Sequence, residues 1–266
     1  MASTFPRHTV QFIDVSGFAS PLAFKTTDRW PLVAWSRIFL PDLLPEEKRV
    51  IYCDIDTLAC RDLAELYAVD LHGKALGAVL EHYSHPGSHF NERLNIPPED
   101  PGYFNSGVLL MDLDRFRELD LTGRIVRYAA EHHDALTCPD QDALNGALSD
   151  EVMPLHPRWN WHDGLTRNIL RSDPDKKLWR GARPVEAVEA ALCPGILHYM
   201  GPHKPWRYNY RMEGPRYALA LKDSGALVGS LPGRTWKKVL KKYAYRPLYT
   251  LTRWKIRRLA RRWHLA

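Results

Sequence analysis

After Asp223 the chain contains no aspartate or glutamate. Twelve of the 37 Lys+Arg residues lie in that same C-terminal stretch, which leaves 25 basic against 31 acidic residues in positions 1–223. The net charge of +6 over 266 residues therefore conceals an acidic body of about −6 and a tail of +12. A basic tail on an acidic body is an attachment device rather than a general property of a fold.

Other absences exclude whole classes. The four cysteines, Cys53, Cys60, Cys138 and Cys193, form no CxxC pair and no zinc spacing, a pattern suited to free thiols in a reducing compartment. Cys53 lies in an apolar segment and is expected as a buried thiol. No apolar run approaches the length of a membrane span. Residues 1–10 show no apolar core after a basic start, so no signal peptide is expected. No internal repeat or low-complexity segment is present. With 45% hydrophobic residues, the chain suffices for one α/β domain with an appendage.

What is present centres on residues 49–56, Arg-Val-Ile-Tyr-Cys-Asp-Ile-Asp, an apolar run ending in two carboxylates spaced i, i+2. Alternation along a strand puts such residues on one side. Two carboxylates brought together repel unless a positive group sits between them, and a hard divalent cation suits oxygen ligands. Asp-x-Asp alone is equally a solvated strand-to-turn junction. Three further patches shift the balance: residues 103–108 (Tyr-Phe-Asn-Ser-Gly-Val), 139–145 (Pro-Asp-Gln-Asp-Ala-Leu-Asn), and 198–206, from His198 through Gly201 and Lys204 to Trp206.

Strand-like and helix-like segments alternate. Strands are expected at 10–15, 50–53, 75–80, 107–111, 152–155 and 195–198. Helices are expected at 28–40, stopped by Pro41, at 62–67 with Asp62 and Glu65 at capping-box spacing, and at 122–132 and 140–148. Such alternation argues for a sheet covered by helices. His82, His85 and His89 read as a solvated loop. In the tail, Trp236, Val239, Leu240 and Tyr243, then Ile256, Leu259, Ala260 and Trp263, fall at i, i+3, i+4, i+7 with cations on the other faces. Each half reads as a basic amphipathic helix for an anionic membrane surface, or more plainly as a helix packed on the body. No basic groove for nucleic acid is visible elsewhere.

Taken in order, the patches resemble the family 8 retaining glycosyltransferases, which include bacterial lipopolysaccharide galactosyl- and glucosyltransferases and, more distantly, glycogenin. The matching pieces are residues 35–41 (Trp-Ser-Arg-Ile-Phe-Leu-Pro), 52–56, 104–108, 140–145 and 198–206, the last close to H-x-x-G-x-x-K-P-W. The resemblance implies an α/β fold of the GT-A type with a mixed sheet, assigned to residues 1–223; the basic aromatic tail read from charge and spacing occupies 224–266. The resemblance also implies a UDP-sugar donor, usually of glucose or galactose, Mn²⁺ or Mg²⁺, and a glycan or lipid-linked acceptor; the basic tail, for its part, is expected to hold a cytoplasmic protein at the inner face of the membrane. Asp54, Asp56 and His198 would hold the metal. Lys204 would add a charge on the diphosphate and Gly201 would admit it closely. Arg37, Asn105, Ser106, Asp140 and Gln141 would line the donor sugar. Gln141 stands where a carboxylate nucleophile would serve a double displacement, with Asp140 beside it. An amide is a poor nucleophile, so front-face substitution is favoured, with a covalent Asp140 intermediate as the alternative.

The chain reaches its first matching strand by Thr9, so roughly two β/α units of the family pattern are expected to be missing, on typical element lengths. That predicts weak nucleotide binding and an exposed sheet edge. A fragment without activity is the competing expectation. A haloacid-dehalogenase-like phosphatase also uses Asp-x-Asp after a strand, but Leu58 stands where that family wants Thr or Val.

Overall fold

The computed structural model describes residues 9–15, 24–26, 31–81, 89–97, 102–166, 184–201, 204–206, 213–225 and 250–262. Its centre is a four-stranded mixed sheet of order β1-β4-β3-β5. β1 (Arg49–Cys53) runs antiparallel to β4 (Phe104–Asp112), β4 antiparallel to β3 (Leu76–Leu80), and β3 parallel to β5 (Val152–Pro154). A second, two-stranded sheet pairs β2 (Thr57–Ala59) with β6 (Ile196–His198).

β3 and nearly all of β4 are buried, because both faces of the sheet are covered, and a strand covered on both faces reads as continuous apolar sequence. Period-two alternation sorts the side chains into two cores. Leu76, Ala78, Leu109 and Met111 enter one, with Trp35, Ile38, Phe116, Ile125 and Leu144. Val79, Val108 and Leu110 enter the other, with Leu66, Trp159, Trp161 and Val188.

The helices follow the expected order with shifts at their ends. A 3-10 segment at Leu32–Phe39 runs into the short α1 (Leu40–Leu43). Pro41 thus does not stop the helix as expected. It sits in the first turn of α1, where a missing N–H costs nothing. α2 (Ala64–Tyr67) lacks the expected reciprocal box: Asp62 accepts from the Ala64 N–H, while Glu65 pairs with Arg61 instead. α3 (His89–Arg93) begins where the histidine-rich loop was expected; His82 and His85 lie outside the described residues. α4 (Leu113–Glu118) and α5 (Leu121–Glu131) are capped by Asp112 and Asp120, whose side chains accept from Arg115 N and Gly123 N. α6 (Pro139–Ala147), α7 (Pro184–Leu192) and α8 (Gly214–Asp223) follow.

Residues 9–15, expected to contain a strand, form none. Val10, Phe12 and Ile13 are 54%, 82% and 40% exposed, so neither set of alternate side chains is buried against a core.

The second correction concerns the tail. Residues 250–262 form a helix, α9, whose buried stripe is Thr252, Ile256 and Ala260. Ile256 and Ala260 join the second core, Leu259 packs against it, and Arg253 donates to the Ala191 carbonyl at 3.2 Å. The apolar face expected in a bilayer is therefore packed on the body at these positions. A stripe this apolar finds a drier partner in the protein than in an interface. Trp236, Val239, Leu240, Tyr243 and Trp263 lie outside the described residues.

α6 carries two of the expected site residues and is held by its own polar side chains. Asn145 accepts from Phe104 N–H at 2.6 Å and donates to the Phe104 carbonyl at 2.9 Å, so its amide extends the edge of β4. Asp142, fully buried, accepts from Arg93, from the Tyr103 hydroxyl at 2.6 Å, and from the backbone N–H of Thr137 and Cys138 at 2.6 and 2.9 Å. Burial works to raise its pKa, but Arg93, Tyr103 and the two amides outweigh it and hold the carboxyl below the usual carboxylate range.

Asp142→Asn should therefore cost about 3 kcal/mol of stability at pH 7, the scale for removing one partner of a buried ion pair. A depressed folded-state pKa stabilises above the unfolded value and loses that contribution as pH falls through the folded one. The gap between wild type and variant in urea unfolding should hold at neutral pH and shrink below about pH 4, the ordinary aspartate value. A gap unchanged at pH 3 would contradict the assignment.

Candidate active site

Asp54 follows β1 and Asp56 precedes β2, so the two carboxylates sit on a turn rather than along one strand. Thr57 closes the turn, donating to the Asp54 carbonyl through N–H at 3.1 Å and through Oγ1 at 2.8 Å. Ile55 between them is 99% exposed, which leaves both neighbours facing inward. β2–β6 pairing sets Thr57 opposite His198, and Tyr199 N–H donates to the Asp56 carbonyl at 2.8 Å. A residue about 140 positions distant in sequence is thereby fixed beside Asp56: His198 Nε2 lies 3.2 Å from Asp56 Oδ1 and 3.7 Å from Asp54 Oδ2.

One ligand atom from each of Asp54, Asp56 and His198 lies within 4.8 Å of the others. Two hard oxygens and one imidazole nitrogen, without thiolate, fit Mn²⁺ or Mg²⁺. Gly107 makes the convergence possible: a Cβ there would stand 2.2 Å from His198 Cε1 and 2.8 Å from Asp54 Oδ2.

Arg37 organises the rest. Its side chain is buried and donates to the Ala34 carbonyl (3.0 Å), the Ser106 carbonyl (2.7 Å), Ser106 Oγ (3.0 Å) and Asp54 Oδ1 (3.0 Å). Its Nε lies 3.4 Å from Asp140 Oδ2, and its guanidinium stacks on the Tyr52 ring at 4.5 Å. Burial opposes its charge, but Asp140 and Asp54 outweigh that and raise its pKa. Asp140, 3% exposed, is itself pushed above the usual carboxylate value by burial, with Arg37 opposing and Asp54 adding to the shift.

Gln141 is held at both ends of its amide. Oε1 accepts from Ser106 N–H at 3.0 Å and Oγ at 3.3 Å, while Nε2 donates to Tyr103 Oη at 2.9 Å. Lys204 pairs with Asp56, donates to the Tyr199 carbonyl at 3.0 Å and lies 5.8 Å from the Trp206 ring centroid. Burial works to raise Asp56, yet His198 and Lys204 hold its carboxyl well below the ordinary value. Gly201 precedes this lysine at φ +84°, a backbone that side-chain-bearing residues rarely adopt.

The expected residues Arg37, Asp54, Asp56, Ser106, Asp140, Gln141, His198 and Lys204 thus form one contact network. Asn105 stands behind it: its amide donates to Glu81 Oε1 at 2.9 Å and accepts from Gly107 N–H and Asn160 Nδ2 at 3.0 and 2.7 Å. Sequence reasoning passed over Tyr52, Glu81, Tyr103 and Asn160. Tyr52 donates to Asp54 Oδ1 at 2.7 Å, and its i, i+2 spacing was readable. Glu81 ends an apolar strand just as Asp54 does, a signal present but unused. Asn160 lies between strands with no pattern to mark it.

Comparison with known proteins accords with this geometry. General stress protein A of Bacillus subtilis (strain 168) is 35% identical over 182 residues, 66% of this chain and 59% of that protein. Lipopolysaccharide 1,2-glucosyltransferase of Escherichia coli (strain K12) is 26% identical over 200 residues, 74% of this chain and 56% of its own. The chain thus spans somewhat more than half the length of these relatives. The galactosyltransferase LgtC, solved with donor and acceptor sugar analogs, shares the fold at a TM-score of 0.65 and 24% identity, covering 78% of this chain and 72% of that one. An active-site mutant of LgtC gives 0.67 at 23% identity, covering 78% and 73%. Residues 3–210 match glycosyl transferase family 8 over more than half the chain, and the protein belongs to that family.

Proposed function

We propose that the chain is a metal-dependent retaining hexosyltransferase that moves glucose or galactose from a UDP-sugar to a glycan or lipid-linked acceptor, as in cell-surface polysaccharide synthesis. The observation that carries this reading is the convergence of Asp54, Asp56 and His198 from β1, β2 and β6. The names of relatives agree in kind: one is a lipopolysaccharide glucosyltransferase, and another was solved with donor and acceptor sugar analogs.

A divalent cation, Mn²⁺ or Mg²⁺, held by Asp54, Asp56 and His198 supplies Lewis-acid charge against a departing nucleotide diphosphate. Lys204 offers a second positive charge at the same place, as a mobile ammonium able to move from Asp56 to a phosphate oxygen. Gly201 lets backbone approach the diphosphate. Arg37 keeps Asp54 and Asp140 in place as their shared counter-ion.

The donor sugar would lie against Asp140, Gln141 and Ser106. Gln141 Oε1 is already engaged by Ser106, so it acts as a fixed dipole beside a developing positive charge rather than as an attacking atom. Asp140 is buried with one carboxylate oxygen held against the Arg37 guanidinium at 3.4 Å, an ion pair it would have to give up in order to attack. Front-face substitution follows, in which the leaving diphosphate takes the acceptor's proton.

α9 supports peripheral attachment at an anionic, cytoplasmic membrane face in a modified form. With Ile256 and Ala260 on the body, the outward face carries Leu251 and Trp254, 61% and 53% exposed, and Arg257, Arg258 and Arg261. The Arg258 guanidinium stands 5.5 Å over the Trp254 ring. Cations flanking an exposed indole suit a lipid headgroup layer. No helix among the described residues is long and apolar enough to cross a membrane.

Asp56→Ala should lower Mn²⁺-dependent hydrolysis of UDP-glucose or UDP-galactose by roughly 10³-fold or more, with an unchanged circular dichroism spectrum. Full activity of Asp56→Ala in the presence of chelator would remove the metal assignment.

Gln141→Ala should reduce the same rate less, about 10²-fold, since it loses an oriented dipole and no bond-forming atom. Mass spectrometry of the intact protein with donor should show no added hexose; a hexose on Asp140 would establish double displacement.

Combined Trp254→Ala, Arg257→Ala and Arg258→Ala should weaken sedimentation with anionic liposomes, each arginine contributing about 1 kcal/mol near such a surface, while donor hydrolysis is unchanged. Sedimentation equal to wild type would make α9 a structural helix alone.

A further inference from the structure

We propose that Asn160 is a positioning residue which, set by Asn105 and Glu81, keeps a proton on Nδ1 of His198 and so turns the Nε2 lone pair toward Asp54 and Asp56. The inference deepens the reading of that triad as a cation site.

Four buried side chains, Glu81, Asn105, Asn160 and His198, have donors and acceptors that can be assigned in only one sense. Gly107 N–H, a donor only, points at Asn105 Oδ1 at 3.0 Å. That fixes the Asn105 amide with Nδ2 toward Glu81 Oε1, 2.9 Å away, where a carboxylate oxygen accepts. Asn160 then meets an acceptor, so it must present Nδ2 to Asn105 Oδ1, at 2.7 Å. Its own Oδ1 is left facing His198 Nδ1 at 2.9 Å, and an amide oxygen can only accept. The ring nitrogen there must carry hydrogen. A backbone donor at one end and a carboxylate behind it therefore dictate the tautomer of an imidazole three hydrogen bonds from Glu81.

Burial makes this sense of the chain obligatory. Glu81, Asn105, Asn160 and His198 are 2%, 4%, 0% and 5% exposed, so reversing any amide would face like with like, with no water to compensate. The anchoring end is braced as well: Glu81 N–H donates to the Tyr103 carbonyl at 2.9 Å, and its Oε2 lies 3.6 Å from His162 Nε2. His162 Nδ1 accepts from Gly164 N–H at 3.2 Å, which leaves the proton of a neutral ring on Nε2, facing Glu81. The His198 ring lies close over Gly107, where a Cβ would stand 2.2 Å from its Cε1, and the His198 N–H to Trp161 carbonyl bond, 2.9 Å, fixes its backbone. Hydrogen bonding to the distal ring nitrogen is the usual means of orienting a histidine ligand.

The wild-type protein, metal-free and labelled with ¹⁵N-histidine, carries the first test. The His198 ring, assigned by loss of its signals in His198→Gln, should show a directly bonded proton on Nδ1. A bare Nδ1 with the proton on Nε2 alone would overturn the proposal. In calorimetry with Mn²⁺ alone, Asn160→Leu should weaken binding by roughly 10- to 100-fold while the metal-free circular dichroism spectrum stays native. Binding as tight as wild type would also overturn it. A protonated Nδ1 in a wild type that binds no Mn²⁺ would leave the chain of bonds standing and remove the cation reading instead.

Discussion

One buried guanidinium holds the site together. Arg37 faces two carboxylates, Asp54 and Asp140, that approach from opposite elements, β1 and α6, and would repel each other without it. Its remaining donors go to Ser106, on β4 between those elements, and to the preceding turn at Ala34. A planar fork can serve several directions at once where an ammonium cannot. Arg37→Lys would keep the charge and lose the geometry. The 3-10 segment before Pro41 acts as the bracket that delivers this side chain, with Trp35 and Ile38 sunk in the first core on either side of it.

Around that centre the sheet separates rigidity from reactivity. The long central strands β3 and β4 are apolar on both faces and carry only the residues at their ends into the site. Glu81 follows β3, while Asn105, Ser106 and Gly107 open β4. The buried polar residues of β4, Asn105 and Ser106, lie at this end, where they bond to Glu81, Asn160, Arg37 and Gln141. The small sheet of β2 and β6 is the adaptor that brings a distant histidine to the first carboxylate pair.

Much of this was readable from residue pattern, and the reasons for the rest are specific. β1, β3, β4 and α6 were legible because their apolar runs are long and their neighbours are local. The Asp54, Asp56 and His198 grouping was legible only through its motif context, since nothing in spacing ties position 198 to position 54. Asn160 and Glu81 escaped because an amide or acid gains its role from partners supplied by other elements. Residues 9–15 misled by alternation: the pattern of a strand is present, but its apolar side chains Val10, Phe12 and Ile13 stay exposed. The tail misled in part for a similar reason. Its amphipathic spacing was correct at Ile256 and Ala260, yet periodicity says only that a face will be covered and not what covers it.

The docking of α9 has a consequence beyond stability. A charged tail on a free tether would confer nearness and nothing more, sampling every angle that the tether permits. Here Thr252, Ile256 and Ala260 fix the helix against the same core that carries β6, so its outward arginines and Trp254 hold a set bearing relative to His198. Any surface that engages that face meets the protein in one pose. On the proposed attachment, the mouth of the site would be aimed rather than merely delivered, and which groups on that surface come within reach would be a matter of angle and not of affinity.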